Sequence, residues 1–180
     1  FILALAVKII FAGIQMGGEL MDFEMGFSLA NVVDPSSEIN APVISQFLNL
    51  SGILLFLSID GHHWFFRAVD QSFLLLVPGE IHVPASLFRH FLNLTASLFI
   101  IAIKIAAPVL AVLIFTQIAM GILAKAVPQV NILITSFPIT IGIGLLFLAF
   151  SIELMFPYAK GLLQEVGRSL VSTLLPLMQR

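Results

Sequence analysis

Long runs of apolar residues are the feature that most restricts what this chain can fold into. Four runs reach or approach the length of a membrane helix, and they cover residues 1–18, 43–59, 96–124 and 132–156. A helix needs about 20 mostly apolar residues to cross a bilayer. Lipid offers no hydrogen-bond partner to a bare backbone N–H or C=O, so helices are the natural spanning form. The runs therefore predict an all-α membrane protein with several spans.

The overall composition supports that prediction and excludes several protein classes. Hydrophobic residues make up 59% of the 180 residues and charged residues 10%, against about 45–50% and about 25% in an ordinary soluble domain. A core of this size cannot hide so much apolar surface, so lipid or other protein must cover the rest. The lack of cysteine excludes disulfides and thiolate chemistry. A net charge of −2 without a basic run argues against nucleic acid as a partner.

The first apolar run leads into a predicted helix that has a polar stripe on one face and a pair of glycines on another face. At about 100° per residue, the stripe consists of Lys8, Gln15, Glu19, Asp22 and Gly26. Such a stripe should face protein or water rather than lipid. Alternatively, its acids simply lie beyond the apolar run, in water. Gly13 and Gly17 have the GxxxG spacing that lets two helices approach closely.

The segment after this helix is rich in residues that interrupt helical geometry. Pro35 and Pro42 remove backbone donors and disfavour a helix at the residues before them. The helix should therefore end near Val33, and the next should begin near Val43. Irregular backbone at membrane depth is tolerated only inside protein or beside a water-filled cavity. The segment is either a loop that lines or closes a pore or a solvated connection between two helices.

Two further groups of polar residues each have a structural and a functional interpretation. Asp60, His62 and His63 could suggest a metal site, but adjacent histidines point in different directions on a helix. A full ligand set would have to come from elsewhere, and an interfacial anchor is more typical of such a cluster, so no metal site is predicted. Lys104 and Glu153 lie inside apolar runs. They could pair with each other or with another chain, or extend to the membrane surface.

The remaining regions predict connections and a terminal helix. Residues 60–95 and 125–131 should connect the membrane helices. After Pro157, apolar side chains recur at helical spacing, which predicts a separate amphipathic helix over residues 158–180, docked on a partner or on the membrane surface. The apolar positions of that helix are Leu162, Leu163, Val166, Leu170 and Leu174. The sequence has no GxSxG, HExxH, Walker or GxGxxG pattern, so no catalytic or cofactor site is predicted.

Three long stretches resemble one family in colinear order. They read GELMDFEMGFSLANVVDPSSEINAPVISQFLNL, FLSIDGHHWFFRA and PVLAVLIFTQIAMGILAKAVPQVNILITSFPITIGIGLL. Together they resemble the FliR family of flagellar biosynthetic proteins, which belongs with the export-apparatus proteins of type III secretion. The resemblance covers nearly all 180 residues as one helical membrane domain. The family is longer at its N-terminus, so we expect that one or two leading helices precede Phe1.

The resemblance implies a function as well as a fold. Proteins of this family are non-enzymatic core subunits of an export gate, built from long bent helical hairpins. They assemble with FliP and FliQ, associate with FlhB, and pass unfolded flagellar proteins across the bacterial inner membrane at the flagellar basal body. Membrane lipid is a further expected neighbour, and no cofactor is implied.

The resemblance also assigns a role to the interrupted segment, because the matching loop of the family plugs the closed pore. Phe27, Leu29, Val32 and Val33 would seal the pore, and residues 34–40 would form a flexible turn. The plug comprises Gly26, Phe27, Ser28, Leu29, Ala30, Asn31, Val32, Val33, Asp34, Pro35, Ser36, Ser37, Glu38, Ile39, Asn40, Ala41 and Pro42.

Two other functions remain alternatives at this stage. One is the counterpart of this protein in the virulence injectisome. The motifs GFSLANVVDP and DGHH favour the flagellar protein over that counterpart. The other is a small-solute transporter or ion channel, in which Lys104 and Glu153 would act within the membrane. An internal repeat is typical of such transporters, and none is visible in the sequence.

Overall fold

The computed structural model describes residues 2–27, 42–75, 85–127 and 132–169, which form five helices. No strand occurs within these four ranges, and the predicted all-α class is confirmed. In chain order the helices are α1 (Ile2–Met25), α2 (Val43–Ser58), α3 (Gly61–Leu75), α4 (Ala85–Ala126) and α5 (Ile132–Ser169).

Three of these helices, α1, α4 and α5, are long and apolar enough to cross a membrane. Helices α2 and α3 pass the same test only as a pair, and they are bent by 69° at the short link between them. Helix α4 has 42 residues, about twice the number that a bilayer crossing needs. The prediction of a polytopic helical membrane protein therefore agrees with the structure.

The region expected to connect the second and third apolar runs is largely helical. Helix α3 occupies Gly61–Leu75, and α4 begins at Ala85, eleven residues before its apolar run. The reason is a second, small cluster of buried side chains that includes Ala68 of α3 and Leu87 of α4. An apolar position every turn suffices to hold a helix against its neighbours, even where the other positions are polar.

Interior prolines do not end the two long helices. Helix α4 continues through Pro108, and α5 continues through Pro138 and Pro157. Residues 158–169 therefore extend α5 instead of forming a separate helix, and residues 170–180 of that prediction lie outside the described ranges. Leu163 is buried and Leu162 packs against the main core. These contacts offset the backbone hydrogen bond that an interior proline removes.

The main core lies where α1 packs against α2, α4 and α5. Met21 and Met25 are fully buried in it, where their flexible side chains fill the space between the helices. Much apolar surface stays outside this core. Phe115 of α4 and Phe150 of α5 are each 72% exposed. The exposed apolar side chains of α4 and α5 include Ile114, Phe115, Ile118, Ile122, Leu146, Phe150 and Leu154.

Candidate functional site

The candidate site is the base of the 28–41 segment, where the C-terminal half of α1 meets the start of α2. Residues 28–41 themselves, which include most of the predicted plug, lie outside the described ranges. Gly26, Phe27 and Pro42 are described, and they mark the two ends of that segment. Phe27 is partly buried and packs against the main core. The geometry of the base is set by the contacts of α1 with its neighbouring helices.

Two glycines bring the backbone of α1 close to that of α4. A Cβ atom at Gly13 would lie 3.0 Å from Cγ2 of Ile101, and one at Gly17 would lie 3.0 Å from the carbonyl oxygen of Ala102. A side chain at either position would force the helices apart. Gly13 and Gly17 therefore face α4, and they allow the backbones of α1 and α4 to approach each other closely.

Asp22 caps α2 from a distance of more than 20 residues along the chain. Its Oδ1 atom accepts a hydrogen bond from the backbone N–H of Ile44, and its Oδ2 atom accepts one from that of Ser45, both at 2.9 Å. The first N–H groups of a helix have no partner within the helix. A carboxylate satisfies them and also interacts favourably with the positive end of the helix dipole. Asp22 is only 2% exposed, so its carboxylate lies inside the protein.

Gly18 allows this cap to form. A Cβ atom at Gly18 would overlap the Cα atom of Ser45 and would lie 2.9 Å from its backbone nitrogen. The start of α2 therefore rests directly on the backbone of α1, one turn before Asp22. Any residue larger than glycine would push the N–H groups of α2 away from the carboxylate.

The C-terminal end of α1 is held by α4 and α5. The N–H of Gly26 donates to the carbonyl of Phe23 at 3.1 Å, and Gly26 has a φ of 92°, which glycine adopts without the strain other residues incur. The Met25 side chain fills the space above Gly144, where an added Cβ would lie 2.6 Å from its Cε. The Nε2 of Gln117 donates to Oε2 of Glu24 at 2.6 Å. Both ends of the 28–41 segment thus start from one rigid base.

The polar stripe of α1 divides into buried and exposed members. Asp22 is buried, which contradicts the alternative that all these acids lie in water. Lys8, Gln15 and Glu19 are exposed, and Nε2 of Gln15 donates to Oε1 of Glu19 at 3.0 Å. The stripe therefore serves protein contacts at its C-terminal end only.

Lys104 and Glu153 do not pair with each other. Both are exposed, and Nζ of Lys104 lies 5.3 Å from the ring centroid of Tyr158, a cation–π contact between α4 and α5. Glu153 makes no ion pair with any residue that the structure describes. The direct pair between Lys104 and Glu153 is therefore excluded. Contact with another chain and extension to the membrane surface stay predictions.

The link between α2 and α3 contains the DGHHW motif. Asp60 has a φ of 58°, and Gly61 lies against the Phe56 ring, which leaves no room for a Cβ atom. Trp64 packs against Gly167 of α5. The indole therefore packs against α5, and the anchor at the membrane interface stays a prediction.

Comparison with known proteins decides the family. The sequence profile of bacterial export proteins, family 1, matches residues 1–166 of this chain. The chain belongs to this family. It is 33% identical to the flagellar biosynthetic protein FliR of Pectobacterium carotovorum subsp. carotovorum over 91% of its own length and 63% of the relative's. It is also 32% identical to FliR of Bacillus subtilis (strain 168), over 86% of this chain and 61% of the relative.

The FliR of Escherichia coli (strain K12) is similar to this chain at 28% identity, over 91% of the chain and 63% of the relative. The resemblance to FliR that the sequence motifs indicated is thereby confirmed. The chain spans less than two thirds of the length of these export-family relatives.

Sequence inspection missed the role of Asp22 in this member of the export family, although one signal was present. The residue at the N-cap position of α2 is Pro42, whose side chain offers no acceptor, and no side chain caps the helix locally. A helix start that lacks Ser, Thr, Asp or Asn must find its acceptor elsewhere. Asp22 was one of several acids before α2 that could supply this acceptor.

Proposed function

We propose that this chain is a non-enzymatic core subunit of the flagellar type III protein export gate in the bacterial inner membrane. Its helices form part of the pore wall, and residues 26–42 plug the closed pore. Membership of the export family and the three helices able to cross a membrane support the first part. The base of the 28–41 segment supports the second part.

The plug hypothesis depends on a contrast between two parts of the chain. The base is held by hydrogen bonds, whereas the segment between Phe27 and Pro42 contains a polar stretch. The cap of Asp22 on Ile44 and Ser45 makes the chain leave and return at one fixed point. Between these ends, residues 34–40 read DPSSEIN and contain one apolar side chain. Such a segment can enter a protein-lined, partly hydrated channel. It can also be displaced by a passing chain, because few apolar contacts would hold it.

The exposed apolar side chains of α4 and α5 support a place within a larger assembly. Phe115, Phe150 and Leu154 are each at least 70% exposed, and apolar surface on this scale marks contact with other protein or with lipid. We propose FliP, FliQ and FlhB as the protein partners, membrane lipid as the remaining neighbour, and unfolded flagellar proteins as the exported substrates.

The plug can be tested by deleting residues 31–40 in the full-length protein expressed with its partner subunits. Pro42 and the cap between Asp22 and α2 stay in place in this variant, so the helices should still assemble. We expect the assembled complex to leak ions, because the channel would lose the side chains that close it. Ion permeability is measured with a potential-sensitive dye in cells or by conductance in planar bilayers.

A matched control replaces Ser36 and Ser37 by alanine, which keeps the length of the segment and should leave permeability unchanged. An assembled deletion variant with wild-type ion permeability would contradict the plug. Solute uptake by the protein reconstituted alone in liposomes would contradict the gate and support a transporter.

A further inference from the structure

The link between α2 and α3 brings together three side chains that commonly bind metals. One donor atom from each of Asp60, His62 and His63 lies within 4.8 Å of the other two. The rings of His62 and His63 are 4.2 Å apart between centroids and are tilted by 41°. The sequence argued against a metal here because adjacent histidines diverge on a regular helix. In the structure His62 and His63 both lie in the first turn of α3, with Asp60 directly before it, and their rings nevertheless lie side by side.

The distance between Asp60 and His63 fits a shared ion better than a direct contact. Nδ1 of His63 lies 3.5 Å from Oδ1 of Asp60, which exceeds the usual length of about 2.9 Å for a hydrogen bond from nitrogen to oxygen. Zinc binds nitrogen and oxygen ligands at about 2.0–2.2 Å. Two ligands at tetrahedral corners are then roughly 3.4 Å apart, close to the separation observed.

A second observation comes from His62. Its Nδ1 atom is buried and has no hydrogen-bond partner among the described residues. Histidines that bind metals use one ring nitrogen for the ion and engage the other with a nearby group. A buried ring nitrogen without a partner is unfavourable, and an ion or its bound water would remove that cost.

We propose that Asp60, His62 and His63 form a zinc site at the link between α2 and α3. Two imidazoles and one carboxylate suit Zn²⁺ and related transition metals, whereas Mg²⁺ and Ca²⁺ prefer oxygen ligands alone. The side chains of Asp60 and His63 are 74% and 64% exposed, so water can reach the fourth position. The ion would tie Asp60 of the link to the first turn of α3, next to the 69° bend. This proposal does not depend on the export function.

The site is tested on the full-length protein in detergent, purified with a tag that contains no histidine. Co²⁺ replaces Zn²⁺ as a visible probe, and Zn²⁺ affinity is measured by calorimetry. We expect one ion per chain and a Co²⁺ absorption band in the visible range. Loss of an outer-shell partner typically weakens binding about 10- to 100-fold, so H63A should weaken Zn²⁺ binding at least as much. The control H90A, at a histidine of α4 outside the link, should bind Zn²⁺ like the wild type.

A second measurement needs no variant and guards against misfolding. Co²⁺ should shift or broaden the imidazole proton signals of His62 and His63 in the wild-type protein and leave those of His90 unchanged. Wild-type zinc affinity in the H62A/H63A double variant, or equal perturbation of His90 by Co²⁺, would overturn the proposal. So would a wild-type protein that binds no Zn²⁺ at all.

Discussion

Helix α1 and the long helices α4 and α5 differ in a way that reverses the rule for soluble proteins. Of the three candidate spans, α1 is the least apolar and yet the most buried. Its inner positions include the small residues Gly13, Gly17 and Gly18 and the acid Asp22, whereas α4 and α5 leave large apolar side chains such as Phe115 exposed. Helices in a membrane protein associate through close backbone approach and polar contacts, because lipid already accepts apolar surface. Burial in α1 therefore combines close approach at its glycines, a hydrogen-bonded acid and the packing of large side chains such as Met21.

The difference between the buried and exposed sides of α4 can be tested at two positions that lie two residues apart. Leu113 is fully buried, and Phe115 is 72% exposed. Leu113→Ala should lower the free energy of unfolding by about 2–5 kcal/mol, because it leaves a cavity in the main core. Phe115→Ala should change it by no more than about 0.5 kcal/mol. Both are measured by denaturant unfolding in detergent, followed by circular dichroism. Equal losses in the two variants would show that α4 has no distinct inner side.

The polar contact of α1 is tested by Asp22→Ala. This change leaves the N–H groups of Ile44 and Ser45 without acceptors at a buried position, and each such donor costs about 1–3 kcal/mol. We expect a loss of about 2–4 kcal/mol in the free energy of unfolding, measured by the same unfolding experiment. The control is Glu19→Ala, which removes an exposed carboxylate from the same helix and should have little effect. If the two changes were equally mild, the cap would not contribute to stability.

The close approach of α1 to the start of α2 is tested by comparing alanine substitutions at two glycines. Gly18→Ala places a Cβ atom against the backbone of Ser45 and should cost about 1–3 kcal/mol in the free energy of unfolding. Gly121→Ala introduces the same methyl group on α4 where nothing lies within 4 Å. It should raise stability by up to about 1 kcal/mol, because alanine favours a helix over glycine. Thermal unfolding of both variants in the same detergent measures the two changes in stability. Changes of the same sign would contradict the close approach at Gly18.

The base of the 28–41 segment and the link between α2 and α3 also differ in what secures them. Hydrogen bonds within the protein close the base, with Asp22 and Glu24 both occupied by partners. At the link, Asp60 and His63 are exposed and lie 3.5 Å apart. Asp22 can therefore set the start of α2 by hydrogen bonds alone, while the proposed ion would join the exposed side chains of the link.

The sequence alone determined the all-α membrane class, the family and the start of α2 at Val43. Each of these depends on local information, namely apolar run length, proline position and a colinear series of motifs. The sequence placed the end of the first helix near Val33, whereas α1 ends at Met25, where Gly26 takes a positive φ. It also indicated that Gly13 and Gly17 could permit close packing. It did not determine that α5 continues through Pro157, because a proline favours a helix end unless tertiary contacts such as those of Leu163 offset the lost hydrogen bond.

The tertiary structure alone decided which polar residues of α1 are buried and what they bind. Asp22 meets Ser45 across 23 positions of the chain, and Glu24 meets Gln117 across 93. No helical or strand period relates residues so far apart, and their contact depends on how whole helices pack.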